Sequence, residues 1–441
     1  MILVYAEIIN SRIEYIFRLM FSQVLNTEVE FTDKSTKFRQ SDLPKINYSY
    51  EKFENEFYIK PHRLLHCQAL IQPDIQPVWY EGEKYFFESS DDSDLPFDPF
   101  AASFYLVSRY EEYLDVKRGK YKRFPAGESI LSKYGLQKKP VVNIWANLLA
   151  RKLKDIYPEL KFPASKFEFR STIDIDNVWA VAHKGIYRTG GALLKTLLKP
   201  DLNDFKNRVS IIVGSKKDPY DTYSYLDSVF SGNEDKVTFF FLLGDYSRYD
   251  KNIRHTNKNF RNLINRTAEK YVIGIHPSYS SSKKKRKSKV LKEKNRLENI
   301  TGNPIKASRQ HFLRLRFPRA YRRLLKAGIE KDFSMGYSSQ TGFRAGICTP
   351  YYWYDLKKET TTNLLVYPFQ VMDVTLRDYM KLSPEEAINE ILQLMEEVKK
   401  VGGIFISIWH NETVNNIGHW KGYREVFEEM NKIGFKWANE Q

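Results

Sequence analysis

Two carboxylates, two imidazoles and a guanidinium stand near the ends of strand-like runs in this chain. Asp174 and Asp176 lie in Thr172-Ile173-Asp174-Ile175-Asp176, His276 in His276-Pro277-Ser278-Tyr279, Arg344 in Gly342-Phe343-Arg344-Ala345-Gly346, and His410 in Trp409-His410-Asn411-Glu412. Side chains alternate across a strand, so Asp174 and Asp176 point into one space. One can ligate a divalent cation while the other remains free as a base, which is the division of labour that metal-assisted hydrolysis needs. His276 follows the apolar run Tyr271 to Ile275, and His410 follows Ile404 to Trp409; a neutral imidazole delivered to a sheet edge suits zinc. Arg344 sits between glycines that allow a sharp turn, and a guanidinium beside a carboxylate would fix that base's orientation.

Residues so far apart in sequence converge only if the strands that carry them lie side by side. The runs Phe167 to Asp176, Val237 to Leu243, Tyr271 to His276, Leu364 to Met372 and Ile404 to Trp409 read as buried strands separated by helices. Ser383-Pro384-Glu385-Glu386 opens one helix with an N-cap, a first-turn proline and two acids, and Gly402-Gly403 closes it. Repeated strand-helix-strand units predict an α/β fold with a parallel sheet, either closed as a (β/α) barrel or open and doubly wound.

Residues 1–165 have a different texture. Strand-like pieces (Met1 to Ala6, Phe57 to Lys60, Lys84 to Glu88) mix with helical ones (Arg12 to Leu25, Ala101 to Leu114, Val142 to Tyr157). This predicts a smaller α+β domain over 1–165 and an α/β domain over 166–441. His62 and His66 have metal-compatible spacing, but no carboxylate partner is evident and a structural role is expected. The aromatic run Tyr351-Tyr352-Trp353 is either a platform for a sugar ring or core.

With 42% apolar and 15% aromatic residues, 441 residues are enough for a sizeable core, and the composition excludes a disordered chain. Cys67 and Cys348 are the only cysteines and form no disulfide framework. No apolar run approaches the roughly 20 residues of a membrane span, and Glu7 follows the apolar start with no cleavage pattern. These features predict a cytoplasmic protein, with room for peripheral contact at the inner face of the membrane. The formal charge of +16 is concentrated in Lys283 to Lys289 and Arg314 to Arg323, which read as solvated faces or as contacts for an anionic surface. No nucleic-acid motif is present.

Taken together, these islands resemble the polysaccharide deacetylase superfamily, the NodB-homology group of carbohydrate esterase family 4, over about residues 167–441. The resemblance implies a distorted (β/α) barrel and a divalent metal, usually zinc. It implies Asp174 as base, Asp176 and His276 as metal ligands, Arg344 with Pro350 and Tyr351 as the base-orienting motif, Asp373 as that arginine's acidic partner, and His410 as the acid. The second metal histidine of the family would fall at Ser280 in this chain, and His311 in Ser308-Arg309-Gln310-His311 is the candidate replacement. The implied activity is removal of acetyl groups from an N- or O-acetylated saccharide, a glycan precursor or a glycolipid-linked glycan. The rival readings are a degenerate saccharide-binding module and a basic protein docking on an anionic polymer or membrane surface.

Overall fold

The structure, a computed structural model, describes residues 1–184, 202–283 and 288–440. The four basic residues 284–287 of the Lys283 to Lys289 run lie outside the described residues. The first sheet is parallel and contains β1 (Ile2–Tyr5), β2 (Val29–Thr32), β3 (Lys45–Asn47) and β4 (Phe57–Tyr58), in the order β2-β1-β3-β4. A small hairpin follows, β5 (Pro77–Tyr80) with β6 (Glu83–Phe86). The helix Pro99–Val107 starts where expected, because the Asp98 carboxylate accepts the Phe100 and Ala101 amides. It stops earlier than the apolar periodicity predicts. Arg109 turns left-handed at φ 55°, and its buried guanidinium bonds Glu111 and Glu112.

The second sheet begins with β7 (Glu168–Ile175), β8 (Val237–Phe241), β9 (Val272–Ile275), β10 (Ala307–Ser308) and β11 (Lys331–Asp332). It is completed by β12 (Tyr351–Asp355), β13 (Thr360–Val366), β14 (Val371–Met372) and β15 (Ile404–His410). The order is β12-β13-β11-β10-β9-β8-β7-β15-β14, parallel throughout except for the β12/β13 pair. No ladder joins the two end strands among the described residues. The chain between β13 and β14 nevertheless reaches both sides: Tyr367 N–H donates to Asp332 O (2.8 Å), Phe369 N–H to Met335 O (2.9 Å) and Gln370 N–H to Ile406 O (3.0 Å). The run Leu364 to Met372 is therefore two short strands, broken around Pro368, whose nitrogen has no proton to give a ladder.

Helix Pro384–Val401 carries the expected capping box between Ser383 and Glu386 and ends at Gly402, φ 64°. It buries Ile391, Leu394, Met395 and Val398, while helix Tyr423–Asn439 buries Val426, Phe427 and Met430; each such side chain contributes roughly 1.5–3 kcal/mol. One apolar cluster runs without a break from Ile2 and Val4 to Phe427 and Phe435, so both sheets share it. Tyr351 and Trp353 are buried in that cluster, which makes them core. Among the described residues, no helix is long and apolar enough to cross a membrane.

The loop after β9 is held from helix Lys289–Thr301. Buried Glu293 accepts the Ser278 amide (2.8 Å) and hydroxyl (2.6 Å). Burial pushes its carboxyl up to about 7 despite these bonds. The folded protein therefore binds this proton more tightly than the unfolded chain, so stability is lost as pH rises from the ordinary glutamate range through 7. A glutamine at this position would mimic the protonated side chain. Glu293→Gln should melt near the wild-type temperature at pH 5 and be more stable than wild type at pH 8, by on the order of 3 kcal/mol. Paired thermal melts across pH 5–8 check this, and parallel pH profiles for the two proteins would refute it.

Candidate metal centre and its flanking groups

The register of the second sheet brings the site together. His410 is the Cα partner of Asp174 across β15 and β7, and Ser308 is the partner of Ile275 across β10 and β9. The strand-like pairing continues beyond β10: Arg309 N–H donates to Ile275 O and His311 N–H to Pro277 O, both at 3.0 Å. Arg309 and His311 therefore alternate onto the side where Asp174, Asp176 and His276 already point. Gly274 lies where an added Cβ would meet the Phe240 ring at 2.6 Å and Ala307 O at 2.9 Å, so only glycine allows this close approach of β8 and β10.

Asp176, His276 and His311 offer ligand atoms that all lie within 4.8 Å of one another. Asp176 Oδ1 is 3.2 Å from His276 Nε2, and Asp176 Oδ2 is 3.2 Å from His311 Nε2. Two atoms each bound to one tetrahedral zinc at 2.0–2.1 Å would be about 3.3 Å apart. Among the described residues, buried Asp176 Oδ1 has no hydrogen bond and faces His276 without the geometry for one. That arrangement suits donors converging on a third atom, and the residues fit a divalent metal. His311 Nδ1 is held by buried Asp250 at 3.0 Å, which turns Nε2 towards Asp176. Burial opposes the charge on His311, but Asp176 and Asp250 outweigh it and push the imidazole up to about 9. Burial also opposes the charge on Asp176, and the two imidazoles beside it, His311 first, outweigh that effect and hold the carboxyl well below the ordinary range.

Asp174 and His410 flank this triad. The Asp174 Oδ1 atom accepts from Arg309 Nη1 at 3.0 Å, while Oδ2 is 3.8 Å from His276 Nε2. Arg309 is fully buried, bonds Thr172 Oγ1 (2.6 Å) and Phe333 O (3.0 Å), and stacks over the Phe240 ring at 4.6 Å. Across the site, His410 Nε2 is 3.8 Å from Asp176 Oδ2. Its Nδ1 lies 2.9 and 3.0 Å from the two oxygens of buried Asp373, which also accepts the His410 amide and the Thr413 hydroxyl. Burial opposes the charge on His410, but Asp373 outweighs it and holds the imidazole well above its ordinary range. Glu412 stands nearby, bonded by Asn177, and its carboxyl is raised by burial and then by Asp176.

Two residues assigned from sequence lie elsewhere or pair differently. Arg344 does not reach Asp174: its guanidinium bonds Glu112 at 2.6 and 3.1 Å and Gly336 O at 3.1 Å, and its carbonyl accepts from Arg109. The turn at Gly342 (φ 108°) exists because the loop docks on the first 165 residues. A Cβ there would lie 2.2 Å from Gln137 O, and Phe343 N–H donates to that same oxygen. The arginine on Asp174 is instead Arg309, and Asp373 serves His410 rather than Arg344. Arg309, Asp250 and Glu412 were not singled out from sequence. Arg309 had a legible signal, standing two residues before His311 and so on the same side of an extended segment. Ser280 Oγ bonds Ser278 and Lys289 and is not among the converging ligand atoms. His62 caps a short turn through Nδ1 and His66 stacks on Tyr48, so both are structural.

Aromatic rings border the triad on one side. Phe312 lies 4.6 Å from His311, and Tyr121, Tyr249 and Tyr279 surround it at 5.0, 5.6 and 5.3 Å between ring centres. All four are half-buried.

Residues 2–158 match a family described as one of unknown function, DUF7033. No curated protein matches the chain. Its similar solved structures include a putative polysaccharide deacetylase from Mycobacterium smegmatis, at 14% identity over 62% of this chain and 86% of that one, with a TM-score of 0.39. A peptidoglycan N-acetylglucosamine deacetylase, Bc1960, is 15% identical over 63% of this chain and 85% of its own, TM-score 0.32. A carbohydrate esterase family 4 pseudoenzyme from Bacillus anthracis is 12% identical over 61% and 62%, TM-score 0.29.

Proposed function

We propose that the chain is a metal-dependent hydrolase that removes an acetyl group from an N- or O-acetylated saccharide. The observation that carries this reading is the convergence of Asp176, His276 and His311, with a carboxylate held by arginine on one side and a histidine held by aspartate on the other. One carboxylate and two imidazoles are a ligand set that suits zinc and leaves a position open. The proposed catalytic unit is the 166–441 portion, read as a distorted barrel interrupted around Pro368, and residues 1–165 are the additional domain.

A bound divalent ion would polarise the acetyl carbonyl and lower the pKa of water. Asp174 takes a proton from the attacking water through Oδ2, because Arg309 occupies Oδ1. His410 enters the reaction protonated and gives its Nε2 proton to the departing nitrogen or oxygen, while Asp373 fixes Nδ1 and stabilises the imidazolium. Arg309 is a positioning residue, fixed in turn by Thr172 and Phe333. The ring cluster around Phe312 offers the saccharide an apolar face.

Elemental mass spectrometry of the purified protein should find near-stoichiometric zinc, and Asp176→Ala and His311→Ala should each lose it. Absence of any divalent ion after zinc is supplied would instead favour a saccharide-binding module without chemistry. His410→Ala should retain the metal yet release acetate from an accepted substrate roughly 10²–10⁴-fold more slowly. Wild-type turnover in that variant would remove His410 from the acid role. Arg309→Lys should lower turnover and Arg344→Lys should lower melting temperature instead, because only Arg309 touches Asp174. Equal effects of the two substitutions on turnover per folded molecule would contradict this assignment.

A further inference from the structure

A cavity of about 470 Å³ opens beside the metal centre and is lined by six cations: Lys122, Lys283, Arg314, Arg316, Arg319 and Arg323. No carboxylate lines it, and none of the six is within ion-pair distance of one among the described residues. Two of the guanidinium groups are fixed by neutral oxygens alone. Arg314 donates to Tyr121 O (2.8 Å), Ser282 Oγ (2.5 Å) and Tyr279 O (3.4 Å), and Arg323 to Ser281 O (2.9 Å) and Lys283 O (3.0 Å). The charge is therefore held in place and left uncompensated. Burial lowers the affinity of Arg314 and Arg323 for their protons, and neighbouring arginines lower it further, as expected where like charges crowd. An anion entering the cavity would relieve that repulsion.

The cavity is tied to the metal centre through the chain. Its wall residue Gln310 lies between Arg309 and His311, and donates to Pro277 O, the residue after His276. Arg314 follows His311 by three residues, a span of at most roughly 11 Å. The Tyr279 ring lies between the two features, contacting Phe312 at 5.3 Å and lying under Arg314 at 4.2 Å. A concave, cation-lined space matches a compact multivalent anion better than a flat polymer or a membrane, and arginine forks pair with phosphoryl oxygens two at a time.

We propose that this cavity binds a phosphoryl or diphosphoryl group carried by the saccharide substrate, so that the substrate is a glycosyl phosphate or diphosphate whose acetyl group reaches the metal centre. The substrate assignment rests on the hydrolase reading above, whereas the anion site stands on its own residues. Inorganic pyrophosphate and orthophosphate are titrated by calorimetry into the full-length wild-type protein, Arg316→Ala/Arg319→Ala, and Asp176→Ala. The two arginines are exposed and bond no other described side chain, so this variant should fold and keep wild-type metal content.

Pyrophosphate should bind wild type and Asp176→Ala alike, and at least tenfold more weakly to the arginine variant. Tighter binding of pyrophosphate than of orthophosphate supports a diphosphate end, and equal binding supports a monophosphate end. Failure of both anions to bind, or equal binding by the arginine variant, overturns the proposal. Binding lost in Asp176→Ala but kept in the arginine variant also overturns it, placing the anion on the metal centre. Association with vesicles of anionic phospholipid that pyrophosphate does not displace overturns it in favour of a surface contact. Metal content measured on the same preparations separates the two readings: no metal with intact pyrophosphate binding removes the hydrolase and leaves the anion site.

Discussion

The constraint on which the site depends is the register of interior parallel strands of the second sheet at their carboxyl ends. Pairing His410 with Asp174 fixes β15 against β7, and pairing Ser308 with Ile275 fixes β10 against β9. A one-residue slip in either pair would move the functional side chains to the opposite face. The register is protected by what lies behind it: Ser171, Thr172, Ile173 and Ile175 are buried, as are Phe405 to Trp409. Apolar packing thus supplies the precision that the polar edge cannot supply for itself, since Asp176 and the histidines attract and repel according to their protons.

Buried charge does two different things in this protein. Arg109, Glu111, Glu112 and Arg344 form a sealed cluster joining the first 165 residues to the glycine-flanked loop after β11. Taking such ions out of water costs several kcal/mol each, and removing one partner of an established pair is expected to cost about 3–5 kcal/mol. That cluster sets how two parts of the chain meet. Around Asp174 and Arg309 the same chemistry is arranged asymmetrically, with one carboxylate oxygen tied and the other turned towards His276. The difference between a clamp and the base proposed at Asp174 lies in that free oxygen.

Much of the site was legible because Asp174, Asp176, His276 and His410 stand at or just beyond the ends of apolar runs, and such ends are where a parallel sheet presents its ligands. His311 was reachable because a ligand was missing at Ser280. The sequence signal at Arg344 points to the wrong arginine for a physical reason. Glycines around Arg344 announce a sharp turn, but they do not say what the turn is for, and here it docks against Gln137. Arg309 follows a two-residue strand too short to register as a period. The strand around Leu364 to Met372 was overextended because apolar content masked Pro368. Asp250 bonds a histidine distant in sequence, and no local pattern marks such a partner; Asp373 is named by the resemblance but bonds His410 instead of Arg344.

The boundary in the chain is not a boundary in the site. Arg123, from the first 165 residues, donates to Phe312 O at 2.6 Å, to Ser338 Oγ at 2.9 Å and to the Tyr379 hydroxyl at 3.2 Å. Tyr121 supplies both a ring against Phe312 and a carbonyl to Arg314, and Lys122 lines the cationic cavity. Tyr121, Lys122, Phe312 and Leu313 all hold positive φ values, between 50° and 61°. Non-glycine residues persist in that region only where surrounding contacts over-determine them. Two such segments, one from each part of the chain, brace each other at the rim next to His311. The amino-terminal region therefore does more than cover the core: it shapes the wall beside His311.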